Sequence, residues 1–415
     1  MIRIKYKSSY HISVMHLPYL SRDKVKLYAN FWKLYLFRFF INLYLIGPVF
    51  LAFYQDFAGL SFKYMMFAQA WYMLWIFLLE IPSGIVADSF GRKKTLILAT
   101  ILNCVAIFVY SLYPNFYIFL VAEFLWAVSF VLFSGTDDAL AYDSLKQIGD
   151  THRSVKVFSK MESFAYFGIL IATPLGGILA DSLGPRMIMM VMTIPYVFAF
   201  LIAISLKEAK VEEPIGWRYY FHNFKYEFRL FKANKILLAL AFDLIFLYIL
   251  VYPMIWLYLD ILSKYNLSIS YLGFVYAGWV VLSIILMNSF DIFESIFKSK
   301  RAFLTISGII VAVMFFLLAF FKSLPILIIA LIIGCAFGFS RRPLLINYMN
   351  KHIPSHKRAT LLSSISMIEN FFLSFITSLI GIFSENWVYP MLIILGFLAI
   401  IFTLFSSVKE DHLID

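Results

Sequence analysis

Charge is what this chain has least of. Only 14% of its 415 residues are Asp, Glu, Lys or Arg, and 62% are hydrophobic. Soluble domains carry about 25% charged residues, so a water-facing globular surface of this size is excluded. Cysteine is nearly absent: Cys104 and Cys335 each sit in an apolar run, and no disulfide framework is indicated. Residues 1–27 are polar and basic, without the apolar core and small-residue cleavage site of a signal peptide. No GKS or GKT phosphate loop occurs, which excludes ATP-driven work by this chain. His352 and His356 have a ligand-compatible spacing, but Pro354 separates them and no cysteine is near. No serine sits in a nucleophile elbow. No cofactor, no metal site and no enzyme activity are expected.

What the chain has is long apolar runs. A membrane span needs about 20 apolar residues, and twelve runs qualify: 34–54, 64–87, 95–113, 116–139, 160–180, 187–205, 236–259, 270–290, 302–321, 324–346, 359–381 and 387–406. Lipid offers backbone N–H and C=O groups no partner, so these spans must be helices. Aromatics make up 19% of the chain and suit both interfacial belts and a pathway lining.

The net charge of +11 could indicate nucleic acid, but its distribution argues for membrane orientation instead. Thirty of the 35 lysines and arginines fall before span 1, after span 12 or in alternate gaps, five of them between spans 10 and 11. Lys63, Arg186, Lys264 and Lys322 are the four on the other side, and Arg38 lies inside span 1. Basic residues are retained in the cytoplasm, so both termini are expected there, in a multi-pass protein of the cell membrane. The organisation expected is a cytoplasmic segment 1–33, a six-helix bundle 34–205, a central loop 206–235, a second six-helix bundle 236–406 and a tail 407–415. Within the loop, Trp217, Phe221, Phe224, Phe228 and Phe231 recur at heptad-like spacing, the pattern of an amphipathic helix on the bilayer surface.

The gap between spans 2 and 3 reads GIVADSFGRKKTL, 84–96. Gly84 permits close approach of a neighbouring helix, and Gly91 permits a tight turn. Asp88 is placed to meet a helix N-terminus, Arg92 offers a planar fork to another acid, and Lys93 and Lys94 extend the basic run. A second copy, GILADSLGPR, occurs at 177–186 at the end of span 5. Spans three apart run in opposite directions, as inverted three-helix repeats would place them.

The first copy, in this position, resembles the signature of the major facilitator superfamily. Twelve spans, a long central loop and internal termini agree with it across almost the whole chain. The resemblance implies an all-α membrane protein of two pseudo-symmetric six-helix bundles that rock about a central site. It further implies that Asp88 caps the start of helix 11, where the chain reads RAT at 358–360. Arg92 would pair with an acid closing helix 4, where Asp137, Asp138 and Asp143 stand. Gly84, Asp88, Gly91, Arg92, Lys93 and those three acids form the expected inner gate. The second-half counterpart, NSFDIFESIFKSKR at 288–301, has lost the glycines but keeps Asp291 and Lys298. Antiporters of the superfamily often carry an Arg in helix 4 and a Gly-Pro pair in helix 5; here Glu123 and Thr173-Pro174 stand instead.

Charges inside spans cost about 2.5–3.5 kcal/mol or more at the bilayer centre and mark function. The candidates are Arg38 (span 1), Glu80 (2), Glu123 (4), Asp243 (7) and Glu369 (11), the last followed by Asn370. Spans 3, 6, 9 and 12, the lipid-facing ring in the superfamily, have none. Burial favours the neutral carboxyl, so these acids are candidates for carrying protons. Arg38 lies about 6 Å from the inner end by helical rise, which also fits a snorkelling side chain. The expected activity is secondary transport by alternating access, with proton-coupled export of a small amphipathic or hydrophobic compound. The alternative is proton-coupled uptake of a polar or anionic metabolite; a membrane-embedded enzyme or receptor-like protein on the same fold is the third reading. Partners are then the substrate, protons and the bilayer, with no nucleic acid, and the protein is expected to be a monomer.

Overall fold

Each apolar run folds as a helix, and among the described residues there is no strand. The computed structural model describes residues 22–209, 234–353 and 358–413. Eleven helices are long and apolar enough to cross a membrane: α2 (Phe62–Phe90), α3 (Arg92–Leu112), α4 (Phe116–Ile148), α5 (Thr151–Leu183), α6 (Pro185–Ser205), α7 (Lys235–Ser263), α8 (Ile269–Met287), α9 (Lys300–Phe320), α10 (Leu324–His352), α11 (Leu361–Ser384) and α12 (Trp387–Leu404). Preceding them, α1 (Arg22–Ile41) begins well before residue 34. Hydropathy marks only the lipid-matched length, whereas helical hydrogen bonding continues into polar ends such as this one.

The first crossing is broken, which explains why it does not count among the eleven. Past Ile41 the chain leaves the helix and resumes in short turns, Gly47–Val49, Phe50–Ala52 and Phe53–Phe57. Pro48 supplies no N–H and restricts the residue before it. The Arg38 carbonyl accepts from both the backbone N–H and the side chain of Asn42, at 3.2 and 2.8 Å. Irregular backbone at this depth is tolerated only inside protein, and Ile46, Pro48, Val49, Phe50, Phe53 and Tyr54 are all buried.

In the first bundle α1 packs on α4, α5 and α6, α3 on α4 and α6, and α2 on α4. In the second, α9 packs on α10 and α12, α10 on α7 and α8, and Phe246 of α7 stacks on Phe402 of α12. The bundles meet along α2 with α11 and α5 with α8. Large apolar side chains such as Phe108, Ile204, Phe320, Phe375 and Phe405 point outward, as lipid allows and water does not.

Each half also closes on itself in the same way. After α6 the chain reads SLKE, 205–208; after α12 it reads SVKE, 407–410. Leu206 and Val408 are buried. Glu208 accepts from the Lys93 N–H at the start of α3, at 3.1 Å. Glu410 accepts from the Lys300 and Arg301 N–H groups at the start of α9, at 2.6 and 3.0 Å. An acid therefore caps the third helix of each bundle from the end of its sixth. Both described ends of the chain lie on this face, called the terminal face below; Asp23 and Lys207 pair across it at 3.0 Å. The amphipathic pattern at 217–231 lies outside the described residues.

Candidate transport pathway

Gly135, in left-handed backbone (φ 74°), bends α4 and starts a new helical stretch at Thr136. Asp137 and Asp138 fall in its first turn, where free N–H groups and the helix dipole favour acids. Arg38 reaches them from α1: it contacts Asp137 through Nε and Nη2 and Asp138 at 2.9 Å, and Glu162 of α5 accepts at 3.3 Å. One guanidinium thus serves three carboxylates. Asp137 is fully buried, while the side chains of Asp138 and Glu162 are 44% and 57% exposed. Snorkelling does not describe Arg38, which is held by side chains of two other helices.

In the second bundle, Arg342 of α10 bonds Glu369 of α11 at 2.5 Å and lies over the Tyr248 ring of α7, 4.6 Å from its centroid. Tyr166, one turn beyond Glu162 on α5, is in electrostatic range of Glu162, Tyr248 and Arg342. Tyr166 therefore stands between the Arg38 cluster of the first bundle and the Arg342 cluster of the second. Asn370 turns away, donating to the Ser366 carbonyl of its own helix at 2.8 Å.

Arg341, next in sequence to Arg342, points instead into the second bundle, where it is buried against Asp243 of α7 and donates to the Leu304 carbonyl at 2.8 Å. The charge count in the sequence assigns both arginines to the gap after span 10, although the run 324–346 contains them; in the structure both lie within α10. Neither they nor Glu162 stood among the candidates. The available signal was two adjacent cations inside an uninterrupted helical run, GCAFGFSRRPLLINYM.

Glu123 of α4 is 2% exposed. Its carboxylate accepts from the Gln69 amide of α2 and the Tyr110 hydroxyl of α3, both at 2.5 Å, and Tyr54 lies 3.3 Å from Tyr110. Among the described residues no Lys, Arg or His forms an ion pair with it. Tyr44, Tyr72 and Tyr252 are in electrostatic range, which connects Glu123 to the aromatic lining where the bundles meet. Glu80 accepts from Ser363 of α11 at 3.0 Å, a bond across the bundle interface.

At the terminal face, α2 ends at Gly91, whose φ of 94° requires glycine. Arg92 bonds Asp88 at 2.7 Å and approaches Asp143 at 3.7 Å. Of the three acids expected near Arg92, Asp143 is the one beside it; Asp137 and Asp138 belong to Arg38. Lys93 takes part through its backbone N–H. Gly84 lies within α2, near its end. The side chains at 358–360, expected to receive Asp88, lie outside the described residues. In the second half Lys298 occupies left-handed backbone (φ 52°), between a short helix Phe290–Phe297 and α9, where a glycine would be unstrained.

The fold is similar to that of solved transporters. A D-xylose–proton symporter superposes with a TM-score of 0.72 at 15% identity, covering 93% of this chain and 98% of that one. The nucleoside transporter NupG gives 0.70 at 13% identity, with 92% and 98% covered. The inward-open xylose transporter XylE from E. coli gives 0.67 at 14%, with 92% and 95% covered. No curated protein matches the chain by sequence. The family profile described as Major Facilitator Superfamily matches residues 34–376, from α1 into α11. The chain belongs to the Major Facilitator Superfamily and is a multi-pass membrane transporter.

Proposed function

We propose that this transporter works by alternating access, with Glu123 as the proton-carrying group, and exports a small amphipathic cation in exchange for protons. The observation that carries the reading is the difference among the intramembrane acids. Asp243 and Glu369 are each neutralised by an arginine, whereas Glu123 is buried with only neutral donors. An unpaired charge held out of water is costly, and one bound proton removes it. Among the described residues Glu80 also has no ion pair, but it sits in the α2–α11 seam rather than beside the aromatic lining.

Charge around the cleft supports a cation over an anion. Arg38 is outnumbered by its three acids, and Arg342 is matched by Glu369, so the cleft carries a surplus of negative charge. Tyr44, Tyr72, Tyr248 and Tyr252 add aromatic faces that attract cations. The bundles touch closely at the face opposite the termini, while Asp138, Glu162 and Arg342 keep solvent exposure. This is the inward-facing arrangement when the terminal face is cytoplasmic, as the distribution of Lys and Arg supports.

Proton-coupled uptake of a polar metabolite is the second reading, favoured by the sugar and nucleoside carriers whose fold this chain shares. Proteoliposomes with an imposed pH gradient separate the two. Ethidium moving against the proton gradient supports export of a cation; xylose or uridine moving with it, and no ethidium flux, overturns that reading in favour of uptake.

A further inference from the structure

The two copies of the glycine–acid motif fold alike. Gly91 and Gly184 have nearly the same backbone, φ/ψ of 94°/147° and 80°/157°, and each donates its N–H to the alanine four residues earlier, Ala87 and Ala180. Asp88 and Asp181 therefore stand at equivalent places, one on each face of the membrane. The contact made by Asp181 is fully visible. Its two carboxylate oxygens accept from the backbone N–H groups of Ile269 at 2.9 Å and Ser270 at 3.2 Å, the first residues of α8. The helix has no side-chain cap of its own at Ser268. An acid of the first bundle thus completes a helix of the second, and satisfies two of the four donors a helix start leaves open.

The backbones beside this cap are in contact. A Cβ on Gly177 would lie 2.7 Å from the Ile269 carbonyl oxygen, and one on Gly273 would lie 2.2 Å from that of Thr173. Neither position admits a methyl group while α5 and α8 are closed together. Nearby, Gly176 packs more closely still on the Leu45 carbonyl, 1.9 Å from where a Cβ would lie, at the break in the first crossing.

We infer that Asp181, with Gly177 and Gly273, forms a latch that holds the face opposite the termini shut, and that the chain carries one such motif for each face. Opening that face separates α5 from α8, so the Asp181 bonds exist in only one of the two arrangements. Their loss shifts the balance toward the other. Asp181 is exposed at a helix end, so its substitution leaves the bundle cores untouched.

The test is a spin-label distance measurement between Ser182→Cys on α5 and Ser263→Cys on α7, in lipid nanodiscs without substrate. Both parent positions are exposed at this face. In the parent protein the short distance should dominate. Asp181→Ala should raise the ratio of long to short distances by about fivefold, the factor expected for one lost cap. Gly273→Ala should shift it the same way. Unchanged distributions in both variants, with monodisperse protein, would overturn the latch. So would a shift with Gly273→Ala alone, which would leave helix packing as the whole cause.

Discussion

Arg341 and Arg342 are neighbours in sequence and belong to different machines. Arg341 is buried against Asp243 inside the second bundle, and Arg342 reaches into the cleft to Glu369. Consecutive residues on a helix point about 100° apart, so one SRRP segment supplies both a structural and a pathway cation.

The buried member makes the stronger stability prediction. Asp243→Asn leaves the Arg341 charge without its counter-ion, and such breaks cost about 3–5 kcal/mol. Thermal unfolding of the detergent-purified protein should show a large drop in Tm. Asp243→Leu combined with Arg341→Met should recover most of it, because removing both charges removes the desolvation cost as well.

The cleft member predicts a functional change with little loss of fold. Glu369→Gln frees Arg342 to face the pathway as an unmatched cation. Ethidium binding should weaken by roughly tenfold or more, about 1.4 kcal/mol, while Tm moves far less than for Asp243→Asn. Equal losses of Tm in the two variants would place Glu369 in the scaffold.

Glu410 predicts a pH dependence. Slight burial pushes its carboxyl up, but the Ser299 hydroxyl and the Arg301 and Lys300 N–H groups outweigh that and hold it below its ordinary value of 4.5. A depressed acid contributes stability that is complete above the ordinary value and is lost as pH falls through the lowered one. Glu410→Gln should therefore lower Tm at pH 7, and the gap to the parent should close as pH is taken below about 4.5. A constant gap across that range would remove the ionised cap from the account.

Glu162 tests the charge surplus. Glu162→Gln removes one negative charge from the exposed rim of the Arg38 cluster, so affinity for a cationic probe should fall severalfold and become less dependent on salt. A neutral probe of similar size should be unaffected. Equal losses for both would point to a change of shape rather than of charge.

The helices were legible because lipid leaves the backbone no alternative, and the glycine–acid motif because its turn needs positive φ at Gly91 and Gly184. Partner choice was harder to read. Asp137, Asp138 and Asp143 lie on one helical stretch after the bend at Gly135, and about one and a half turns of that helix separate the pair that meets Arg38 from the acid beside Arg92. Gly135 itself was in plain view in SGTDD, yet a bend inside a long apolar helix has no periodicity to announce it. Glu162 and the two arginines were missed although the runs 160–180 and 324–346 contain them: a charge within a few residues of a span end reads as part of the polar gap, and helices here run well past the lipid-matched length. The matched caps of Glu208 and Glu410 rest on a four-residue echo, SLKE and SVKE, too short to stand out before the fold brought the two acids to equivalent helix starts.

The central claim is that Glu123 couples protons to substrate movement, and parallel flux measurements in proteoliposomes test it most directly. With the parent protein, ethidium flux should be accompanied by counterflow of protons reported by an internal pH dye. With Glu123→Gln, ethidium-for-ethidium exchange should persist while proton counterflow and gradient-driven accumulation disappear. Undiminished proton counterflow in Glu123→Gln would contradict the account.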